Sequence, residues 1–347
     1  MDCISLIEKL KVEHSLLRSE WSFLWRNHSA EVRAFAGQMA REIAQSIFQR
    51  NIYIRGIVEF SNCCKNDCFY CGIRKSNRLV ARYNLSDEVI VECCRSGWEN
   101  NIRTFVLQSG EVGSKAVEHM CQLVQKLKKT FPGCAVTLSI GELSSSEYSA
   151  LRQAGADRYL LRHESADEKH YSKLHPAYMK LKNRLECLEN LHRIGFQTGC
   201  GVMLGSPFQN ADTLAEDMVF MQNFKPEMIG VGPFIPHKDT PFKDHPAGTL
   251  EDTLFMISLC RIMHPEVLLP ATTALGTLQK DGRIQGVLAG ANVIMPNLTP
   301  VQVQENYNLY NNKIHTDSAI GQAISELQDQ LGSIGYTIAD SRGDYGE

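Results

Sequence analysis

A chain of 347 residues with 43% apolar side chains can bury a large core, either as two average domains or as one α/β barrel with extensions. Its formal charge of −3 argues against a nucleic-acid-binding face, and no basic stripe stands out along the chain. The start, Met1-Asp2-Cys3, turns charged by Glu8 with no apolar run long enough for a signal sequence or a membrane span, so a soluble cytoplasmic protein is expected, its twelve cysteines unpaired in a reducing compartment.

Residues 1–50 read as helical throughout, with Leu6, Leu10, Leu16, Leu17, Phe23 and Leu24 apolar, an N-terminal extension capping the bottom or side of the remaining fold. From residue 51 short β-rich runs alternate with amphipathic helical runs, the pattern of a parallel sheet with crossover helices. The β-rich runs are 52–60, 103–108, 135–140, 158–163, 197–204, 228–235, 268–273 and 292–296. Eight β/α units predict a complete (βα)8 TIM-type barrel over 51–300, followed by a helical C-terminal extension over 301–347. Between the runs, Val117, Met120, Cys121, Val124, Leu127 and Phe131 recur at helical spacing and stop at Pro132-Gly133. Leu181, Leu185, Leu188 and Leu191 do likewise before Gly195, and Thr213-x-x-Glu216 reads as a capping box opening the next helix.

Directly after the first β-rich run comes Cys64-Lys65-Asn66-Asp67-Cys68-Phe69-Tyr70-Cys71, three thiols spaced C-x-x-x-C-x-x-C on a polar loop. Clusters of the 4Fe-4S type normally take four thiolates, so three leave one iron open for a small-molecule ligand. In radical enzymes S-adenosylmethionine chelates such an iron. Structural zinc wants four ligands in closed pairs, and no second C-x-x-C occurs. Cys63 would lengthen the first gap by one residue and reads as a structural neighbour.

Other residues fit a site around that loop. Tyr70 can lie over a bound adenine and shield a cluster, or simply fill core. Arg162-His163-Glu164 puts charge at the end of a buried strand, costly unless something pairs with it. A zwitterionic ligand is one partner, with Glu164 accepting from its amino group or ribose and Arg184 forking its carboxylate. An Arg162–Glu164 ion pair is the other reading. Met203 at a strand end packs against a sulfonium or serves as filler, and the Pro233 and Pro236 bend exposes backbone near Ile235 for an adenine edge. Thr272 and Thr273 offer hydroxyls to a polar or anionic substrate. The words Ser109-Gly110-Glu111 and Ser139-Ile140-Gly141-Glu142 repeat at two strand ends, where a parallel barrel opens its site. His170 and His175 read as lying in a charged, solvated helix, not as metal ligands.

Several longer words carry a resemblance. Leu107-Gln108-Ser109-Gly110-Glu111, Val136-Thr137-Leu138-Ser139, Gly155 through Glu164, Val231 through His237, Pro270-Ala271-Thr272-Thr273-Ala274 and Gly290 through Asn297 resemble the HydE family of radical S-adenosylmethionine enzymes, maturases of FeFe-hydrogenase. The likeness runs from about residue 50 to about residue 310. It implies a barrel with a large internal cavity and a 4Fe-4S cluster on Cys64, Cys68 and Cys71. Cofactor contacts are then expected at Tyr70, Gln108, Ser139, Glu164, Arg184, Met203 and Ile235, with Thr137, Arg162, Thr272 and Thr273 lining the substrate cavity. The implied substrate is an organometallic iron–cysteine species bearing CO and cyanide, made by HydG. HydG and HydF are the implied partners, together with an electron donor such as ferredoxin or flavodoxin. No cysteine follows Cys260, so the second C-terminal cluster of some members is not expected. A methylornithine-synthase-like or biotin-synthase-like enzyme, or a non-catalytic Fe–S scaffold, stay open as alternatives.

Overall fold

The structure is a computed structural model and describes residues 2–315 and 318–347. Three helices lead: α1 (Cys3–Glu13), α2 (Arg18–Asn27) and α3 (Ala30–Phe48). Asp2 and Ser29 cap the first and third by accepting from the Ser5 and Val32 amides, and the stretch expected to be helical is three helices separated at 14–17 and 28–29. Leu6, Leu10, Leu16 and Leu24 pack into the main core, whereas Leu17, at 65% exposure, does not.

The run expected over 52–60 is two strands, β1 (Asn51–Ile54) and β2 (Gly56–Ser61), because the chain changes partners at Arg55. From β2 onward lies a six-stranded parallel sheet in sequence order, with β3 (Thr104–Ser109), β4 (Ala135–Ser139), β5 (Arg158–Leu160), β6 (Gln197–Leu204) and β7 (Met228–Pro233). β1 instead sits between β8 (Val293–Ile294) and β9 (Thr337–Ile338) in a small parallel sheet. The run expected over 268–273 is not a strand. It makes two isolated bridges, Leu268 to Met228 and Pro270 to Val293, and Pro270 has no N–H to extend a ladder. A third bridge joins Ile57 to Asn297.

The helices after the N-terminal three are α4 (Asp87–Glu99), α5 (Val117–Thr130), α6 (Ser145–Gln153), α7 (Glu168–Leu174), α8 (Leu181–Ile194), α9 (Ala211–Phe224), α10 (Leu250–Met263), α11 (Thr273–Leu278), α12 (Gly282–Leu288), α13 (Val301–Gln304) and α14 (Ile320–Ser333). α5 and α8 follow the sequence periodicity, and Gly195 ends α8 at φ 90°, a left-handed position where glycine costs least. The capping box of α9 is shifted. Asn210 is the cap and Thr213 its reciprocal partner, while Glu216 pairs with Arg18. The C-terminal segment is not helical throughout. After α14 it adds β9, and its tail closes on Arg158, which donates to the Arg342 and Gly343 carbonyls and to Asp344.

Candidate active site at the strand ends

The loop after β2 is folded around polar anchors. Asp67 Oδ1 accepts from Arg74 Nε (2.6 Å), Ser76 N (3.1 Å) and Ser76 Oγ (2.8 Å). The Arg82 guanidinium donates to the carbonyls of Asn62, Ile73, Arg74 and Asn77. These bonds fix the thiol-bearing backbone, alongside the packing of Phe69, Tyr70 and Cys68 on apolar side chains.

Cys64 Sγ accepts two backbone N–H bonds, from Asn66 (3.4 Å) and Glu111 (3.3 Å). Cys63 Sγ turns the other way, toward the Tyr83 carbonyl (3.8 Å) and Asn84 Nδ2 (3.6 Å). Gly110 leaves room for this arrangement, since a Cβ there would fall 2.5 Å from the Cys63 carbonyl and 2.6 Å from Cys64 Cβ. Burial, then the charge of Cys64, pushes the Cys71 thiol up to about 12. Burial pushes Cys64 up as well, and Cys68 well above its ordinary value with Cys71 and Cys64 adding to it. Three half-buried thiols whose ionisation is disfavoured fit a site completed by a cationic group, which reverses that cost. Among the described residues no set of three or more His, Cys, Asp or Glu is arranged to hold a metal ion, the three loop thiols included.

Tyr70 is held from behind. Its Oη lies 3.2 Å from His175 Nε2, and His175 Nδ1 lies 2.9 Å from the Tyr171 carbonyl. A carbonyl only accepts, so Nδ1 carries the proton and Nε2 accepts from Tyr70. Burial holds the imidazole neutral, down to about 3, and it stacks on Tyr171 with centroids 3.9 Å apart. The expected solvated histidines are therefore buried: His175 is 3% exposed and His170 2%, the latter bonded to Ser165 Oγ and the Pro207 carbonyl. Met203 is buried with Leu174, Phe234 and Phe242, and Phe69 and Tyr70 pack against that group.

The two repeated acidic words meet at one cation. Arg184, from α8, donates to Glu111 Oε1 and Glu142 Oε1, both at 2.6 Å, and to the Arg162 carbonyl at 3.1 Å. Gly141, at φ 92°, permits this, because a Cβ would strike the Glu111 side chain at 2.1 Å. β5 ends at Leu160, short of the expected 163, and four residues on Glu164, at φ 63°, makes an isolated bridge to Val202 of β6. Its carboxylate pairs with Arg162 Nη2 at 2.9 Å, the ion-pair reading of the sequence. His163 points away, its Nε2 3.6 Å from Asp217 Oδ1, an oxygen that accepts from Ala166 N at 2.5 Å.

Thr137 Oγ1, Arg162 Nε and Thr272 Oγ1 are buried without a hydrogen-bond partner among the described residues. A Cβ added at Gly232 would lie 3.6 Å from Thr272 Oγ1 and 3.9 Å from Arg162 Nη1, so those two side chains converge over bare β7 backbone. Other buried side-chain atoms without a hydrogen-bond partner, Trp25 Nε1, Arg55 Nε and Arg261 Nη2 among them, are scattered through the fold, so it is the convergence of Thr272 and Arg162 that makes this spot a candidate ligand site. Thr272 stands at the N-cap position of α11, and Thr273 faces elsewhere, lining a cavity of about 370 Å³ with Glu59, Asn297 and Lys313. Ser139 ends β4 half-buried, and Ile235 lies half-buried beyond β7. Gln108 Nε2 donates to Tyr307 Oη at 3.2 Å. Tyr307, Lys313 and the Tyr70–His175 contact have no local sequence signal, whereas the doubled Gly-Glu word did mark Glu111 and Glu142.

A model of the radical SAM superfamily matches residues 58–221. The "[FeFe] hydrogenase maturase subunit HydE" of Thermotoga maritima is 41% identical over 298 residues, covering 85% of either chain. Crystal structures share the fold: methylornithine synthase (PylB) at TM-score 0.83 and 23% identity, covering 96% of this chain and 97% of that one, and the maturase HydG at 0.82 and 19%, covering 98% and 76%. At that identity the two structures speak for the fold alone. Identity of 41% over most of both chains decides the family: this protein belongs to the HydE family of radical SAM enzymes.

Proposed function

We propose that Cys64, Cys68 and Cys71 hold a 4Fe-4S cluster with one iron open to S-adenosylmethionine, inside a complete (βα)8 barrel over 51–300 flanked by extensions 1–50 and 301–347. The bridges from Leu268, Pro270 and Ile57 support the closure between β7, β8 and β2. A cluster held by these three cysteines would supply the one electron that reductive cleavage of S-adenosylmethionine needs. The chain's own residues bind, orient and exclude water. The Asn66 and Glu111 amides stabilise thiolate charge on Cys64. Tyr70 and Met203 wall the cofactor from solvent, Glu164 takes its amino group or ribose, and Arg184 takes its carboxylate. Gln108, Ser139 and Ile235 complete its contacts. Because Arg184 already bridges Glu111 and Glu142, carboxylate binding shares a fixed guanidinium and recruits no free one.

The reaction is HydE-like maturation, with an organometallic iron–cysteine species carrying CO and cyanide, made by HydG, as the substrate in assembly of the di-iron subcluster, and HydG and HydF as partners. The observation that carries this reading is the orphaned trio Thr137 Oγ1, Arg162 Nε and Thr272 Oγ1. Two hydroxyls and a guanidinium N–H are donors, and cyanide nitrogens and a cysteine carboxylate are acceptors. Thr273, expected to line the same cavity, faces the separate one with Glu59, Asn297 and Lys313 and takes no part. The test is anaerobic in-vitro hydrogenase maturation with the reconstituted protein in place of the usual maturase. Hydrogen evolution that vanishes with Cys68→Ala is the expected result. No hydrogenase activity while S-adenosylmethionine is still cleaved would redirect the substrate assignment to a small organic molecule.

A further inference from the structure

The charge of the chain is not evenly spread. Residues 64–82 and 171–182 carry eight Lys and Arg and one acid, Asp67, in a chain of net −3, which leaves the other 316 residues at −10. The two segments touch: Phe69 N donates to the Leu174 carbonyl, Tyr70 to His175, and Cys68 Sγ lies 3.9 Å from Met179 Sδ. The whole-chain average had hidden a basic face around the thiols.

Arg74 is spent on Asp67, Lys65 reaches Glu111, and Lys182 reaches Glu186. Lys75, Arg78, Lys173 and Lys180 are exposed and form no ion pair among the described residues. Large apolar side chains stand bare on or beside the same segments: Leu79 next to Arg78 at 80% exposure, Tyr178 at 60%, and Phe208 at 51% with Lys173 Nζ 4.9 Å from its ring centroid. Tyr178 sits next to Met179, whose sulfur touches Cys68, so the exposed face is one residue removed from a thiol. Unpaired like charges cost solvation and repulsion unless a partner of opposite sign covers them, and apolar residues ringed by charge are the anatomy of a short-lived contact.

We propose that this face docks a small acidic protein that carries one electron. The contact is electrostatically steered, with Lys75, Arg78, Lys173 and Lys180 meeting carboxylates and Leu79, Tyr178 and Phe208 excluding water at the centre. One electron passes from carrier to cluster, the carrier being oxidised and the cluster reduced by that one electron, with no bond made or broken. The inference rests on the cluster assignment above and adds where the electron enters.

The test uses cluster-reconstituted protein, flavodoxin as the acidic probe, and the triple variant Lys75→Glu, Arg78→Glu, Lys180→Glu. Cluster bleaching by reduced flavodoxin is followed by stopped flow, and binding of oxidised flavodoxin by calorimetry. The wild-type second-order rate should fall as salt rises, and the triple variant should be slower by about tenfold or more at low salt with weaker binding. Bleaching by dithionite should be unchanged in the variant, and Lys280→Glu, at an exposed site elsewhere, should behave as wild type in both assays. A triple variant that binds and is reduced by flavodoxin at the wild-type rate, or a wild-type rate indifferent to salt, overturns the proposal. Wild-type protein that accepts the electron yet never cleaves S-adenosylmethionine would instead overturn the catalytic reading and leave the docking face standing.

Discussion

Lys313 and Glu59 lie 254 residues apart in the chain and meet in a buried ion pair, Nζ to Oε1 at 2.5 Å. The pair pins the stretch 304–313 across the strand ends. Along that stretch Tyr307 receives Gln108, the Asn306 carbonyl receives Asn62, the Leu309 carbonyl receives the Gly72 amide, and Asn311 N donates to the Pro236 carbonyl. Removing one partner of a buried pair strands the other charge, at a cost of about 3–5 kcal/mol. Lys313→Met should therefore lower unfolding stability in urea by that order, and Glu59→Gln added to it should restore part of the loss. Single variants as stable as the parent would show that the pair is not what holds the stretch in place.

Replacing His175 separates its hydrogen bond from its bulk. His175→Phe keeps the stack on Tyr171 but gives Tyr70 no acceptor, whereas His175→Gln offers a carbonyl oxygen. A lost bond of about 1 kcal/mol weakens S-adenosylmethionine binding roughly fivefold. Titration of the reduced cluster with S-adenosylmethionine, read by EPR, should show that loss in the Phe variant and near-parental affinity in the Gln variant. Equal affinities in all three proteins would leave Tyr70 positioned by packing alone.

Gly110→Ala should abolish cluster assembly while the fold survives. The added Cβ meets the Cys63 carbonyl and the Cys64 side-chain root, and neither is the flexible end of a long side chain that could step aside. Iron and sulfide content after anaerobic reconstitution is the readout, with circular dichroism to confirm folding. Full iron content in a folded variant contradicts the close approach.

Acid should loosen the C-terminal tail. Burial opposes ionisation of Asp344, but Arg158 and Arg342 outweigh it and hold the carboxyl below its ordinary value of 3.8. A depressed carboxylate contributes stability that is complete above the unfolded value and disappears as pH falls through the lower folded one. The stability gap between the parent and Asp344→Asn should thus be constant near neutral pH and shrink below about 4. A gap that does not change down to acid unfolding would mean the ion pair with Arg158 adds nothing.

The sequence was most legible where local chemistry repeats. The α5 and α8 periodicities, the helical first fifty residues and the run at 197–204 all correspond to observed elements, because burial of one face leaves a period in the residues. It was least legible where distant segments decide. Nothing near residue 55 shows that the strand changes sheets there, since its partners, β8 and β9, come some 240 residues or more later. Pro270 did carry the signal that broke the run over 268–273, through its missing N–H. At the site, the thiols, Glu164 and Arg184 stand out as unusual residue types in unusual places, whereas Tyr307, Lys313 and the neutral role of His175 depend on contacts across the fold.

The central claim is that three cysteines hold the cluster that cleaves S-adenosylmethionine. Its most direct test is chromatographic measurement of 5′-deoxyadenosine from anaerobic, reduced, reconstituted protein beside Cys64→Ala, Cys68→Ala and Cys71→Ala. Deoxyadenosine from the parent and none from any of the three is the expected result. Cleavage retained in all three variants, with Cys63 intact, would contradict the assignment.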